Sequence, residues 1–252
     1  MLAIDWSGRA KAAAESIWLA RVTDGRLDEL ENGLDRSEVI AAVIERARSQ
    51  PRTVAGFDFA FSFPRWYCAQ NGWTTGIEVW RAMRERAEDL LKGGNPPFWG
   101  RAGTIAQTQG PPYRETDKAV GGQPKSVFQI AGAGAVGTGS LRGMPHLVEL
   151  AEAGFAIWPF DPPNWPLAIE IYPRVFAPGV VKSRHGDRRT FLERRFPNQD
   201  PVLLERAAGS EDAFDAAVSA VFMADHNDRL SRLPERPPGS AQRIEGEIWT
   251  PM

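Results

Sequence analysis

Cysteine and histidine are scarce in this sequence. Among 252 residues there are one cysteine, Cys68, and three histidines. A single cysteine excludes an intrachain disulfide and a zinc site built from cysteines. No apolar run reaches the ~18 residues that a membrane-spanning helix needs. The N-terminus has neither the basic region nor the apolar stretch of a signal peptide, and Asp5 would interrupt one. We therefore expect a soluble, cytoplasmic protein with no membrane partner.

An excess of positive charge is also missing. Lys and Arg number 30 against 32 Asp and Glu, which argues against a generally basic nucleic-acid-binding protein. The charge is nevertheless uneven along the chain. Residues 181–195 hold six basic side chains against two acidic ones, and residues 200–228 hold seven acidic side chains against one basic one. This pattern suits a phosphate-binding edge beside a metal site, and two solvated helix faces would also produce it.

The composition is that of a globular domain, with 42% hydrophobic and 25% charged residues. Residues 2–6, 16–23 and 26–31 have the apolar patterning of strands. The second and third of these segments are joined by Asp24-Gly25, a preferred type I′ hairpin turn because both residues tolerate positive φ. The chain is therefore predicted to open with a three-stranded antiparallel meander.

Further patterns predict a single α/β domain over residues 1–252. Asp35 and Glu38 form a capping-box pattern before a helix, and helical spacing recurs over 77–92, 145–153, 188–196 and 211–225. Strand patterns cover 53–61, 155–159 and 167–172. Residues 93–143 are rich in Gly and Pro with little periodicity, which predicts an insertion or lid. We expect a mixed sheet, with parallel strands following the meander, flanked by helices.

Carboxylates interrupt three of the apolar strand patterns. Asp5, Asp58 and Glu170 each stand among large apolar residues, and an ionised carboxylate between helix layers is costly without a partner. Asp212 and Asp215 are three residues apart at the start of the last strong helix, so both can project from one face. Several carboxylates that meet at strand ends need a cation, and oxygen ligands suit Mg²⁺ or Mn²⁺. The pattern predicts a two-metal site.

Each acidic residue also has a structural interpretation. Either strand aspartate could accept hydrogen bonds from backbone amides. Glu170 could pair with Arg174 or another neighbouring arginine. Asp212 could complement the helix dipole, with Ser210 as the N-cap.

Four segments occur in an order that resembles a known family. They resemble the predicted nucleases of RNase H-like fold grouped as domain of unknown function 429, and the resemblance spans nearly the whole chain. The Asp-x-x-Asp helix is also similar to the last catalytic helix of RuvC-type junction resolvases. The segments are Ile4-Asp5-Trp6-Ser7-Gly8, Gly56-Phe57-Asp58-Phe59-Ala60-Phe61-Ser62-Phe63-Pro64, Ile169-Glu170-Ile171-Tyr172-Pro173 and Asp212-Ala213-Phe214-Asp215-Ala216.

The resemblance implies an RNase H-like mixed sheet and metal-dependent hydrolysis of nucleic-acid phosphodiester bonds. It implies Asp5 as a bridging ligand of Mg²⁺ or Mn²⁺, with Asp58, Asp212 and Asp215 completing the site and Glu170 as a further catalytic candidate. One alternative is an actin-like phosphotransferase or nucleotide hydrolase, which normally needs two copies of the domain. Another is a binding module that keeps the fold without catalysis.

The basic segment supplies candidates for substrate binding. Lys182, Arg184 and Arg188 are predicted to contact backbone phosphates. His185 could contact phosphate or orient water, and it could equally be a solvated loop histidine.

Two further patterns have competing interpretations. Residues 132–137 match G-x-G-x-x-G, but a dinucleotide site needs a preceding strand and a helix that opens within the motif. Because Gly143 and Pro145 should delay that helix, we favour a glycine-rich loop that contacts phosphate or closes over the site. Trp158, Phe160 and Trp165 either stack on unpaired bases or pack a proline-rich loop onto the domain.

Overall fold

A six-stranded mixed sheet organises the protein. The computed structural model describes residues 1–100, 108–120, 124–132 and 134–251. Its strand order is β3-β2-β1-β4-β6-β5, with the first three strands antiparallel and β1, β4, β6 and β5 mutually parallel. The expected α/β architecture, a meander followed by parallel strands, is confirmed. The strands are β1 (Leu2–Asp5), β2 (Trp18–Thr23), β3 (Arg26–Asn32), β4 (Val54–Phe57), β5 (Ala156–Ile157) and β6 (Leu167–Glu170).

The predicted hairpin turn between β2 and β3 is present. Asp24 has a φ of 50° and Gly25 a φ of 78°, the positive values that a type I′ turn requires at both central positions. This turn chemistry is local, so it could be recognised without knowledge of the rest of the fold.

Nine α-helices are present among the described residues. Asp35 and Glu38 form the expected reciprocal capping box at the start of the first helix. The four short helices α2, α6, α8 and α9 carried too few periodic positions to be predicted. The helices are α1 (Arg36–Ser49), α2 (Arg65–Gln70), α3 (Gly76–Gly93), α4 (Val136–Glu152), α5 (His185–Arg195), α6 (Pro201–Ala208), α7 (Glu211–Asp225), α8 (Asn227–Leu230) and α9 (Gln242–Glu245).

The start of α4 differs from the sequence expectation. The helix begins at Val136, inside the glycine-rich motif, and continues through Pro145. Its glycines meet close neighbours, since a Cβ on Gly143 would lie 2.7 Å from the ring of Phe59 and one on Gly137 would lie 2.2 Å from the carbonyl oxygen of Val127. Packing therefore overrides low helix propensity here. Helix α4 therefore includes residues 136–143 of the predicted insertion. Residues 101–107, 121–123 and 133 of that insertion lie outside the described residues.

Helices cover both faces of the sheet. Leu2 and Ile4 of β1 pack into a core with α1, α3 and α4, whereas Ala3 between them faces a second core formed with α5, α6 and α7. This alternation follows from the two-residue period of a strand. Only the ends of the central strands are left for polar chemistry. In the described part of the chain, no helix is both long and apolar enough to span a bilayer.

Candidate active site

Acidic residues stand at the ends of three adjacent parallel strands. Asp5 ends β1, Glu170 ends β6, and Asp58 directly follows β4, which lies between them. The amide of Asp58 donates to the carbonyl oxygen of Ile4 at 3.1 Å, so the β1–β4 pairing continues to the acidic end. Because parallel strands share one carboxyl-terminal edge, the topology alone brings these residues to the same edge.

Helix α7 adds two more carboxylates. It packs across β1 and β2 and brings Asp212 and Asp215 from its N-terminal part towards the strand ends. Burial raises the pKa of Asp5 well above its usual value, and repulsion from Asp215 is the next largest cause. Repulsion from Asp58 and Asp212 raises the pKa of Asp5 further. The structure thus brings together the four aspartates that the sequence singled out.

The pKa of Asp58 is raised by the same two effects, burial and repulsion between carboxylates. Burial, followed by repulsion from Asp215, raises the pKa of the Asp58 carboxyl to about 8. Burial is also the main cause that raises the pKa of Asp215, and Lys182 opposes that rise. Carboxylates held together in a low-dielectric site lose protons reluctantly unless a cation balances them.

Lys182 lies among these carboxylates. Its Nζ atom is 2.6 Å from Oδ1 and 2.7 Å from Oδ2 of Asp215. Only the Oδ2 contact has hydrogen-bond geometry, so Oδ1 is a solvent-inaccessible oxygen with a charge contact but no hydrogen bond. The ammonium group of Lys182, which is predicted to contact a backbone phosphate, is paired with an acid of the cluster, and the phosphate contact stays a prediction.

The environment of Asp212 differs from that of Asp5, Asp58 and Asp215. Burial raises its pKa, and Arg9 is the main cation that opposes the rise. The expected N-cap is present, with Ser210 Oγ accepting the amide of Ala213 at 3.0 Å. Asp212 therefore lies in the first turn of α7, where the helix dipole also favours a negative charge.

Glu170 belongs to a separate buried ion-pair group. It is 2% exposed, and its Oε1 and Oε2 accept from the guanidinium of Arg114 at 2.5 and 2.8 Å. Oε2 also accepts the amide of Phe61 at 3.0 Å, and Arg114 pairs with Asp117 at 2.7 Å. The arginine partner expected for Glu170 is present, but it is Arg114 and not Arg174. Since both carboxylate oxygens are engaged, we leave Glu170 out of the proposed ligand set.

Arg188 does not reach solvent as a phosphate-binding residue would. It is 5% exposed, and its Nε donates to the carbonyl oxygen of Ala208 at 2.8 Å while Nη1 donates to that of Lys182. The predicted phosphate contact is therefore wrong, because the buried guanidinium of this α5 residue donates to backbone carbonyl oxygens, one of them at the end of α6. The sequence shows the charge of Arg188 but not the direction in which the side chain points.

The other two basic candidates lie at the start of α5. Arg184 is exposed at the N-cap position, and His185 is half exposed with Nε2 3.3 Å from Glu205. His185 therefore contacts a surface acid of α6.

A cavity of about 620 Å³ opens beside the carboxylates. Asp58 and Asp212 line it, as do Ala135, Val136 and Gly139 at the start of α4. Two exposed basic residues, Arg9 and Lys125, also border it. The cavity therefore places acidic groups suited to a cation near basic groups suited to an anion.

Among the described residues, the glycine-rich motif lacks the preceding strand that a dinucleotide site needs. Helix α4 opens inside the G-x-G-x-x-G pattern, but the preceding described residues contribute only an isolated bridge, between Trp99 and Gln129, and no strand. Trp158 is 2% and Phe160 6% exposed, and the indole of Trp158 donates to the carbonyl oxygen of Pro234 at 3.0 Å. Packing of the proline-rich loop is confirmed for these two aromatic residues.

The donor atoms of the cluster are carboxylate oxygens, the type that Mg²⁺ and Mn²⁺ prefer. Its ligand atoms would all be oxygens, its acids raise one another's pKa, and Asp215 Oδ1 has no hydrogen bond. In the arrangement observed, no three Asp, Glu, His or Cys side chains of residues 1–100, 108–120, 124–132 and 134–251 converge on one metal position. The arrangement observed among these residues is therefore not that of a preformed metal site.

Comparison with known proteins adds no assignment. No protein-family model, curated protein or solved structure matches the chain. The interpretation of the site therefore depends on its own geometry, and the resemblance noted from the sequence stays a prediction.

Proposed function

We propose that this protein has an RNase H-like fold and is a divalent-metal-dependent hydrolase of nucleic-acid phosphodiester bonds. The observation that carries the proposal is the meeting of four aspartates where β1 and β4 end against α7, each with a raised pKa. The sheet order supports it, because the meander comes first and the two acid-bearing strands lie at the centre.

Asp5, Asp58, Asp212 and Asp215 would hold the metal. Mg²⁺ or Mn²⁺ bound there supplies an activated water and charge stabilisation at the leaving oxygen. The strand-end position of Asp5 and Asp58 fixes both side chains on rigid backbone.

The cavity supports an anionic substrate. Arg9 and Lys125 border the space next to Asp58 and Asp212. Basic side chains attract phosphate oxygens. A volume of about 620 Å³ lies in the range of sites for small molecules, which suits one strand end or a flipped-out nucleotide better than an intact duplex.

A cleavage assay tests this function. Single-stranded and duplex DNA and RNA would be incubated with the protein and Mn²⁺, with Asp58→Asn as the test variant and Asp89→Asn as the control. Asp89 is an exposed carboxylate at the far end of α3, with 85% of its side chain accessible. We expect Asp58→Asn to lower the cleavage rate by at least about a hundredfold. Equal rates for Asp58→Asn and wild type would refute the proposed site.

A binding module without catalysis is the second candidate. The observation that favours it is Lys182, which gives the carboxylate cluster a cation of its own. Such a module would bind nucleic acid in the absence of metal and would cleave none of the substrates. An actin-like enzyme is less favoured, because one meander sheet is seen among the described residues and that arrangement needs two such domains. ATP turnover by the pure protein would reverse this order.

A further inference from the structure

The loop that follows β1 borders the 620 Å³ cavity. Residues 6–11, here called the β1 loop, form neither helix nor strand, so their backbone carbonyl oxygens have no partner within a sheet or helix. Trp6, Gly8 and Arg9 of this loop line the cavity. The loop also packs closely on the start of α4, since a Cβ on Gly8 would lie 2.5 Å from the amide nitrogen of Gly139. Its conformation therefore shapes one wall of the cavity.

Two arginines from different helices donate to the backbone of this loop. Arg36, the first residue of α1, donates to the carbonyl oxygen of Ser7 from Nε at 3.1 Å and from Nη2 at 2.8 Å. Its Nη2 also donates to the carbonyl oxygen of Arg9 at 2.5 Å. Arg142 of α4 donates to the carbonyl oxygen of Gly8, which lies between them. Guanidinium groups thus bind three consecutive carbonyl oxygens of the β1 loop.

Arg142 is itself fixed by a residue of α3. Its guanidinium donates to the two carboxylate oxygens of Glu88 at 2.6 and 3.0 Å, and 11% of its side chain is exposed. Arg36 and Arg142 do not line the 620 Å³ cavity, and both line a separate cavity of about 420 Å³. Their connection to a ligand in the larger cavity is therefore indirect, through the loop that they hold.

Arg9 is the cation that this loop presents to the cavity. The residue is exposed, and it borders the same space as Asp58 and Asp212. In the part of the chain that the structure describes, its guanidinium has no ion-pair partner within 4.0 Å. An arginine side chain loses conformational freedom when it binds an anion, and a backbone that is already fixed lowers the total ordering cost. The held loop therefore favours binding of an anionic group by Arg9.

We propose that Arg36 and Arg142 are positioning residues, which hold the β1 loop so that Arg9 contacts a phosphate group of the nucleic acid in the cavity. This inference rests on the proposed function, because the anion is the substrate of that same site. The contact lies four residues after Asp5, in a segment that the charge pattern of the sequence does not single out.

Binding of fluorescein-labelled single-stranded DNA and RNA oligonucleotides in EDTA, followed by anisotropy, tests the inference without cleavage. Arg9→Met should weaken the affinity by about tenfold, because one charge-assisted contact is lost. It should also make the slope of log K against log salt concentration shallower by about 0.7. Arg36→Met and Arg142→Met should each weaken the affinity by at least about threefold.

Arg48→Met is the matched control for loss of one positive charge. Arg48 lies on the same helix as Arg36, and 72% of its side chain is accessible. Because an exposed charge far from the ligand is screened by salt, this variant should keep the wild-type affinity within about twofold.

A double-mutant cycle separates positioning from a general structural role. If Arg36 acts through Arg9, Arg36→Met should change the affinity by no more than about twofold in the Arg9→Met background. A structural role would instead give the same loss in both backgrounds. Circular dichroism checks that each variant is folded, and Arg142→Met replaces Arg36→Met in the cycle if the latter does not fold.

The outcomes separate this inference from the proposed function. Wild-type affinity in Arg9→Met, an equal loss from Arg36→Met in both backgrounds, or no binding of either oligonucleotide by wild type would overturn the inference, and cleavage that depends on Asp58 would still stand. Binding that depends on Arg9 and Arg36 without cleavage by wild type would overturn the hydrolase and keep the phosphate contact.

Discussion

Replacing Arg114 by methionine should strongly destabilise the protein. The guanidinium is 2% exposed and contacts Glu170, Asp117 and the carbonyl oxygen of Glu245. It therefore joins the segment before the 3₁₀ helix Thr116–Ala119 to the end of β6 and to α9. Without it, two carboxylates that are 2% and 5% exposed lose their cation while staying buried.

The magnitude follows from the cost of an uncompensated buried charge. Removing one partner of a buried ion pair typically costs about 3–5 kcal/mol, a large part of the stability of an ordinary domain. The loss should depend on pH. Burial raises the pKa of Glu170, and Arg114 opposes that rise, so in Arg114→Met the pKa of Glu170 moves further up. A carboxyl with a raised folded-state pKa contributes stability at low pH and loses it as pH rises through that pKa. The penalty should therefore be smaller at pH 5 than at pH 7.5.

Urea unfolding in EDTA at the two pH values measures the effect. Arg48→Met is the control, because Arg48 forms an exposed pair with Glu45, and its loss should change the free energy of unfolding by less than about 0.5 kcal/mol. The double variant Arg114→Met/Glu170→Gln should regain at least about 1 kcal/mol relative to Arg114→Met. A loss below about 1 kcal/mol at pH 7.5, or one that does not change with pH, would refute the reasoning.

Two other substitutions have defined outcomes. Asp58 has a pKa of about 8 in the folded protein and about 4 in the unfolded chain, so the folded protein binds one more proton between these pH values. The stability of the metal-free protein should therefore fall as pH rises through this range, by up to about 1.4 kcal/mol per pH unit. Asp58→Asn should remove that part of the slope and be more stable at pH 8 in EDTA, and parallel urea curves for variant and wild type would contradict this. Gly143→Ala should destabilise by about 1–3 kcal/mol, because its Cβ would lie 2.7 Å from the ring of Phe59; an unchanged thermal midpoint would exclude that close contact.

Local chemistry made part of the fold predictable from sequence. The Asp24-Gly25 turn and the Asp35–Glu38 capping box each involve neighbouring residues, and both are present. The start of α4 was not predictable in this way. Glycine and Pro145 disfavour a helix locally, whereas the close packing of Gly143 against Phe59 is made between residues distant in sequence.

The residues of the candidate site were likewise predictable only where local sequence or strand topology determines their position. Acids in apolar strand patterns pointed to Asp5 and Asp58, since the topology of parallel strands brings their ends together. The ion-pair partners of the charged residues could not be assigned, because a sequence gives the sign of a charge and not the direction in which the side chain points. Lys182 faces Asp215 where phosphate contact was expected, and Arg114 pairs with Glu170 across 56 positions from a segment without periodicity.

The most direct test of the proposed active site is a calorimetric titration of Mn²⁺ into wild type and Asp58→Asn, with Asp89→Asn as the control. We expect wild type and Asp89→Asn to bind the ion and Asp58→Asn to lose this binding, because one carboxylate of the four-aspartate cluster is gone. Absence of Mn²⁺ binding by wild type, or equal binding by Asp58→Asn, would contradict a metal centre at the ends of β1 and β4.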